Sequence, residues 1–173
     1  MNTSWLRKSF IVSMLALGAS AVGQSASADP ADTIRWQSVI GIIQAGSVVG
    51  SGTGAVTGAH GPWSALGGHV RVDLDRGQID FSTNGLVFAA GNAIGNTGTV
   101  AQVKGTLVCD TDGSASGGNS IVVDTPLVAL DDQGDAHFSG MVSLPAVCAT
   151  EPDIAFLIRT ASGRWIGSGT VLR

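Results

Sequence analysis

From Thr33 onward, short runs of Val, Ile, Leu, Phe and Thr are interrupted every eight to twelve residues or so by Gly, Asp, Asn or Pro, which is the rhythm of short antiparallel strands joined by turns. The pattern predicts an all-β domain, a single antiparallel β-sandwich or closed β-barrel of about nine strands. In His69–Ser82 the apolar residues Val70, Val72, Leu74, Ile79 and Phe81 alternate with polar ones, as a strand pair with one buried face requires. A turn at Arg76-Gly77 would set Leu74 against Ile79, Asp73 against Asp80 and Val72 against Phe81, so that apolar residues meet apolar residues. Two further turns are predicted at Asp131–Asp135, between neighbouring strands, and at Ala161–Gly163, which brings Ile158 back towards Ile166. The run Ile154–Ile158 is apolar on both faces and reads as a central strand. Two Gly-rich stretches, Gly50 to Gly68 and Gly91 to Gly98, read as long surface loops or bulged edge strands.

The first 28 residues follow a different pattern. A short polar start with Arg7 and Lys8 leads into an apolar run from Phe10 to about Leu17 and then to small residues ending Ala26-Ser27-Ala28. That is the order of a cleaved signal peptide, and cleavage after Ala28 would leave Asp29 at the mature N-terminus. The apolar run falls short of the roughly 20 residues needed to span a bilayer. The expected organisation is therefore a signal peptide over 1–28 and one β domain over 29–173, secreted or periplasmic, with no membrane span in the mature chain.

Composition sharpens this picture. The whole chain has 25 Gly, Lys+Arg 9 and Asp+Glu 13, and charged residues make up 13%, about half the usual share. One Glu and two Lys in 173 residues leave little with which to build exposed helical faces, so a helical bundle is excluded. Without Arg7 and Lys8 the mature chain carries 9 − 2 = 7 basic and 13 acidic residues, a net charge of −6. With no basic cluster, nucleic acid is not an expected partner. Cys109 and Cys148 in an exported chain predict a disulfide closing a loop of about 40 residues.

Nucleotide and nucleophile signatures (G-x-S-x-G, the P-loop, H-E-x-x-H) are missing from the sequence. Three groups of residues remain as candidates. Asp73 and Asp80, opposed in the hairpin as read above and joined by His69 on the same face, could bind a hard cation, share a proton or flank a glycosidic bond. Asp110, Asp112, Ser114 and Asn119 in an extended loop could hold Ca²⁺, although the spacing departs from the EF-hand. Trp63, beside His60 in the aperiodic segment AHGPWSALGG, could offer an exposed ring to a sugar or a partner protein, or fold back over the end of the core. The reading is an exported, non-catalytic β module with a binding or structural role, its partner a carbohydrate or another exported protein. No cofactor is required beyond a candidate Ca²⁺. The alternative is a small secreted hydrolase or cation-binding enzyme using Asp73, Asp80 and His69.

Overall fold

The computed structural model describes residues 33–170; the expected signal peptide over 1–28 and its expected cleavage point lie outside them. The described chain opens with β1 (Thr33–Trp36) and β2 (Ser38–Gly41), then β3 (Val48–Val49), a 3₁₀ turn at Gly52–Gly54, β4 (Val56–Thr57) and β5 (Trp63–Ser64). The long hairpin follows as β6 (Gly67–Asp73) and β7 (Gln78–Asn84), then β8 (Val87–Phe88) and the eight-residue β9 (Gln102–Cys109). The remainder is β10 (Ile121–Asp124), β11 (Val128–Ala129), β12 (Ala136–Met141), the short helix α1 (Val147–Thr150), β13 (Ile154–Thr160) and β14 (Trp165–Thr170). Five of these strands have two residues, which leaves nine of four or more among the described residues.

Two sheets face each other as a sandwich, and neither closes into a barrel. The first has the order β1-β6-β7-β12 and the second β10-β9-β13-β14-β2, with β11 also paired to β9. The chain changes sheet at Gln37, so that β1 pairs β6 while β2 pairs β14. As the apolar run predicts, β13 is central, lying between β9 and β14. The inner faces meet at aromatic rings: Phe81 lies 5.7 Å from Phe156 and 5.9 Å from Phe138, and Trp36 lies 5.9 Å from Phe156. Val70, Val72, Ile79, Leu107 and Ile158 fill the space around them, each at 1% exposure or less, and each such side chain contributes about 1.5–3 kcal/mol by its removal from water.

The hairpin register differs from the sequence expectation by two residues. Arg71 is the partner of Asp80, and Asp73 is the partner of Gln78, so Asp73 and Asp80 do not oppose one another. The turn spans four residues, Leu74–Gly77. The Asp73 carboxylate accepts the Arg76 N–H at 3.0 Å, and Gly77 donates its N–H to the Asp73 carbonyl at 2.8 Å. Gly77 has φ +71° and no room for a Cβ, because the Val142 carbonyl sits there. A shift of two leaves every side chain on its original face, so the hydrophobic pattern is the same in both registers. The turn at Asp131–Asp135 also joins different partners than expected, since β11 pairs β9 in one sheet and β12 pairs β7 in the other.

Gly50–Gly68 includes more than surface loop. Val108 and Leu157 point away from the inner face of the second sheet, yet both are buried, because the segment around β3 and β4 lies over them. The Trp165 indole N–H donates to the Ser47 carbonyl at 3.0 Å, and Gly58 bridges to Trp165. Gly54 packs directly on the Ser120 backbone, where a Cβ would collide. Cys109, ending β9, and Cys148, in α1, lie at disulfide distance with Cα atoms 5.0 Å apart, which fastens α1 to the sheet.

An ionic knot closes one edge of the second sheet. Asp124 accepts from Thr106 Oγ1 at 2.6 Å, from Arg159 Nη1 at 3.0 Å and from Lys104 Nζ. Burial pushes its pKa up, but the hydrogen bonds from Lys104 and Thr106 and the charges of Arg159 and Lys104 outweigh it, so the pKa lies below the ordinary 3.8. A depressed carboxylate pKa gives stability that is complete above the unfolded value and is lost as pH falls through the folded one. Asp124→Asn should therefore cost about 1 kcal/mol in urea unfolding at neutral pH, and this difference should shrink below pH 3.8. A difference that stays constant down to pH 2 or so would show that the charge does not contribute.

Candidate functional site

The outer face of the first sheet is the only broad strand surface left open among the described residues, since the second sheet carries its own cover. Strand alternation puts Thr33 and Arg35 of β1 on that face with His69, Arg71 and Asp73 of β6, Gln78, Asp80 and Ser82 of β7, and His137, Ser139 and Met141 of β12. Pairing arranges them in rows: Thr33, Asp73, Gln78 and Met141; Arg35, Arg71, Asp80 and Ser139; then His69, Ser82 and His137. A groove of about 740 Å³ runs across these rows, lined in addition by Gln37, Arg76 and the edges of Trp36 and Val70.

The rows hold two polar chains. His69 Nδ1 lies 2.8 Å from Ser82 Oγ, and its Nε2 lies 2.9 Å from Asp80 Oδ1. An ionised carboxylate can only accept, so Nε2 donates to Asp80, and in the neutral imidazole Nδ1 then accepts from the Ser82 hydroxyl. Asp73 is turned towards the hairpin end, where it holds the Arg76 amide and lies 3.6 Å from the Arg76 guanidinium. The two aspartates therefore face different partners, and the opposed pair expected from sequence is replaced by a His69–Asp80 contact with Ser82 attached.

The chain matches no family model, no curated protein and no solved structure.

The other candidates sit away from this face. The Asp110 carboxylate accepts the Ala115 N–H at 3.1 Å and the Ser114 hydroxyl at 3.4 Å, and Asp112 accepts the Ser114 N–H at 2.9 Å. Asn119 Oδ1 accepts both the N–H and the hydroxyl of Thr53. The loop thus uses these oxygens to fix its own path and to fasten itself to the 3₁₀ turn. Asp110 has φ +54°, the only positive φ outside glycine among the described residues, a conformation that Asp tolerates better than most side chains. Burial raises its pKa, but hydrogen bonds from Ser116 and Ala115 bring it below the ordinary value. No group of three or more His, Cys, Asp or Glu among the described residues is placed to hold a metal ion.

Trp63 does not present an open ring. It is 3% exposed, pairs with Phe88 through β5 and β8, and packs on the Phe88 ring with centroids 4.1 Å apart and the planes tilted by 36°. Its backbone N–H donates to the Ile42 carbonyl at 2.8 Å, which draws the segment back over the sandwich, while the buried indole N–H has no partner among the described residues. An indole buries about 150–250 Å², so an aperiodic loop gains more by folding its Trp inward than by exposing it. The neighbouring His60 stays exposed. Sequence reasoning missed Arg35, Gln37, Ser139 and Met141, because nothing local says that β1 and β12 flank the hairpin. The available signal was the alternation within each of those strands.

The burial of Trp63 gives a direct check. Trp63→Ala should lower the urea-unfolding free energy by about 3–5 kcal/mol. A loss under 1 kcal/mol or so would place the ring outside the core.

Proposed function

We propose that the protein is an exported β-sandwich module that binds a small polar ligand in the groove on the outer face of its four-stranded sheet. The observation that carries this is the groove itself, about 740 Å³ in volume, within the usual range for small-molecule sites. It is built on paired strands, which position side chains more firmly than loops do. Its lining mixes charged and neutral hydrogen-bonding groups with the apolar edge of Met141, the composition that fixes a ligand's orientation. Export rests on the N-terminal sequence and agrees with a cysteine pair at disulfide distance and with no described helix being long and apolar enough to cross a membrane.

A second reading rests on the Ser82–His69–Asp80 chain, whose order of hydrogen bonds is that of an activated hydroxyl. Its weakness is exposure. The His69 side chain is 58% exposed, and a general base in open water lacks the dry, preorganised surroundings in which such chains accelerate acyl transfer.

The test is an amide NMR titration of mature protein, residues 29–173, against oligosaccharides, organic acids and divalent cations, with serine-directed fluorophosphonate labelling run in parallel. Binding should shift amides of β1, β6, β7 and β12 together, and Ser82 should stay unlabelled. Shifts confined to the 110–120 loop would contradict the groove, and stoichiometric labelling of Ser82 would favour the hydrolase.

A further inference from the structure

Arg35 and Arg71 are direct cross-strand partners on an exposed face. Like charges in that position repel by a fraction of a kcal/mol. The other described arginines are held: Arg76 by Asp73, Arg159 by Asp124, and Arg164 by the Gly58 carbonyl. Arg35 and Arg71 have no carboxylate within 4.0 Å among the described residues. The two carboxylates close enough to neutralise them are occupied, Asp80 with His69 and Asp73 with the hairpin turn. The fold therefore sets two arginines across from each other in the lining of the groove, with neither in an ion pair among the described residues.

We infer that the groove takes a saccharide bearing a carboxylate, a uronic acid unit, with Arg35 and Arg71 gripping the carboxylate together. This rests on the groove being the binding site. Planar guanidinium forks match a carboxylate through paired N–H donors. Along the row Arg35, Arg71, Asp80 and Ser139 the charge changes sign, positive on β1 and β6 and negative at Asp80 of β7. A ligand with several anionic groups would be repelled at the second side, whereas one with an acid group at one end and hydroxyls at the other satisfies both. Sugar hydroxyls donate to Asp80, and Gln78 and Ser139 offer neutral partners for the rest. A bare inorganic anion would leave most of a groove of about 740 Å³ unfilled.

The experiment is the same amide titration of residues 29–173 with three probes: glucuronosyl-galactose, a disaccharide with one carboxylate; its neutral counterpart glucosyl-galactose; and tri-glutamate as an acidic peptide. Glucuronosyl-galactose should shift β1, β6 and β7 amides and bind at least about tenfold more tightly than glucosyl-galactose. Arg35→Gln and Arg71→Gln should each weaken it about tenfold or more, while the thermal midpoint holds or rises because a repulsion has been removed. Equal binding of the neutral disaccharide in the groove, tighter binding of tri-glutamate, or indifference to both substitutions would overturn the acidic-sugar inference and leave the groove reading standing. No groove shift with any of the three probes would overturn the inference, and failure of the wider titration panel as well would overturn the groove reading with it.

Discussion

The architecture turns on the missing side chain at Gly105. In the middle of β9, a Cβ at this position would enter the rings of Phe81 and Phe156, which reach it from opposite sheets. The backbone there is clamped too, since Gly105 donates its N–H to Thr125 Oγ1 at 2.9 Å and accepts the Thr125 N–H at 2.9 Å. Close approach at this point lets the two rings meet and lets Trp36 and Phe138 pack on them. Once β6 and β7 commit Val70, Val72, Ile79 and Phe81 to the core, their intervening residues must form one continuous polar surface.

The two outer faces then have different fates. The second sheet points Val108 and Leu157 outward and needs a cover, which the 42–58 segment supplies with Val56 and Ile42. Gly52 and Gly54 sit where backbone approaches backbone, at Gly118 and Ser120. The first sheet points Arg, Asp, His, Gln and Ser outward and stays open. The polar side chains of the first sheet are therefore gathered on one face by the same alternation that fills the core. The cost is visible in the opposed Arg35 and Arg71, a local repulsion of the kind that stability alone would remove and that binding sites retain.

The sequence made some of this legible and hid the rest for identifiable reasons. Strand class, the central place of Ile154–Ile158, the paired cysteines and the polar identity of the hairpin face all follow from local pattern. The register does not, because a two-residue slip preserves every inward and outward assignment and only the turn distinguishes the alternatives. The four-residue turn is set by the Asp73 side chain and by Val142 pressing on Gly77, a contact from 65 residues downstream that no local reading contains. The flanking rows from β1 and β12 are hidden for the same reason. Trp63 lies in a segment without period, and periodicity is the signal by which a buried residue is normally found. Gly50, Gly52, Gly54, Gly58 and Gly68 look like flexibility in sequence, and in the fold they are points of close approach.

The site depends on Arg71, not Asp73, lying across from Asp80. Interstrand backbone NOEs in the folded protein report this pairing directly. Contacts pairing Arg71 with Asp80, Val72 with Ile79 and Val70 with Phe81 are the expected result. Contacts pairing Asp73 with Asp80 and Val72 with Phe81 would put two carboxylates face to face, separate Ser82 from His69, and contradict the site described above.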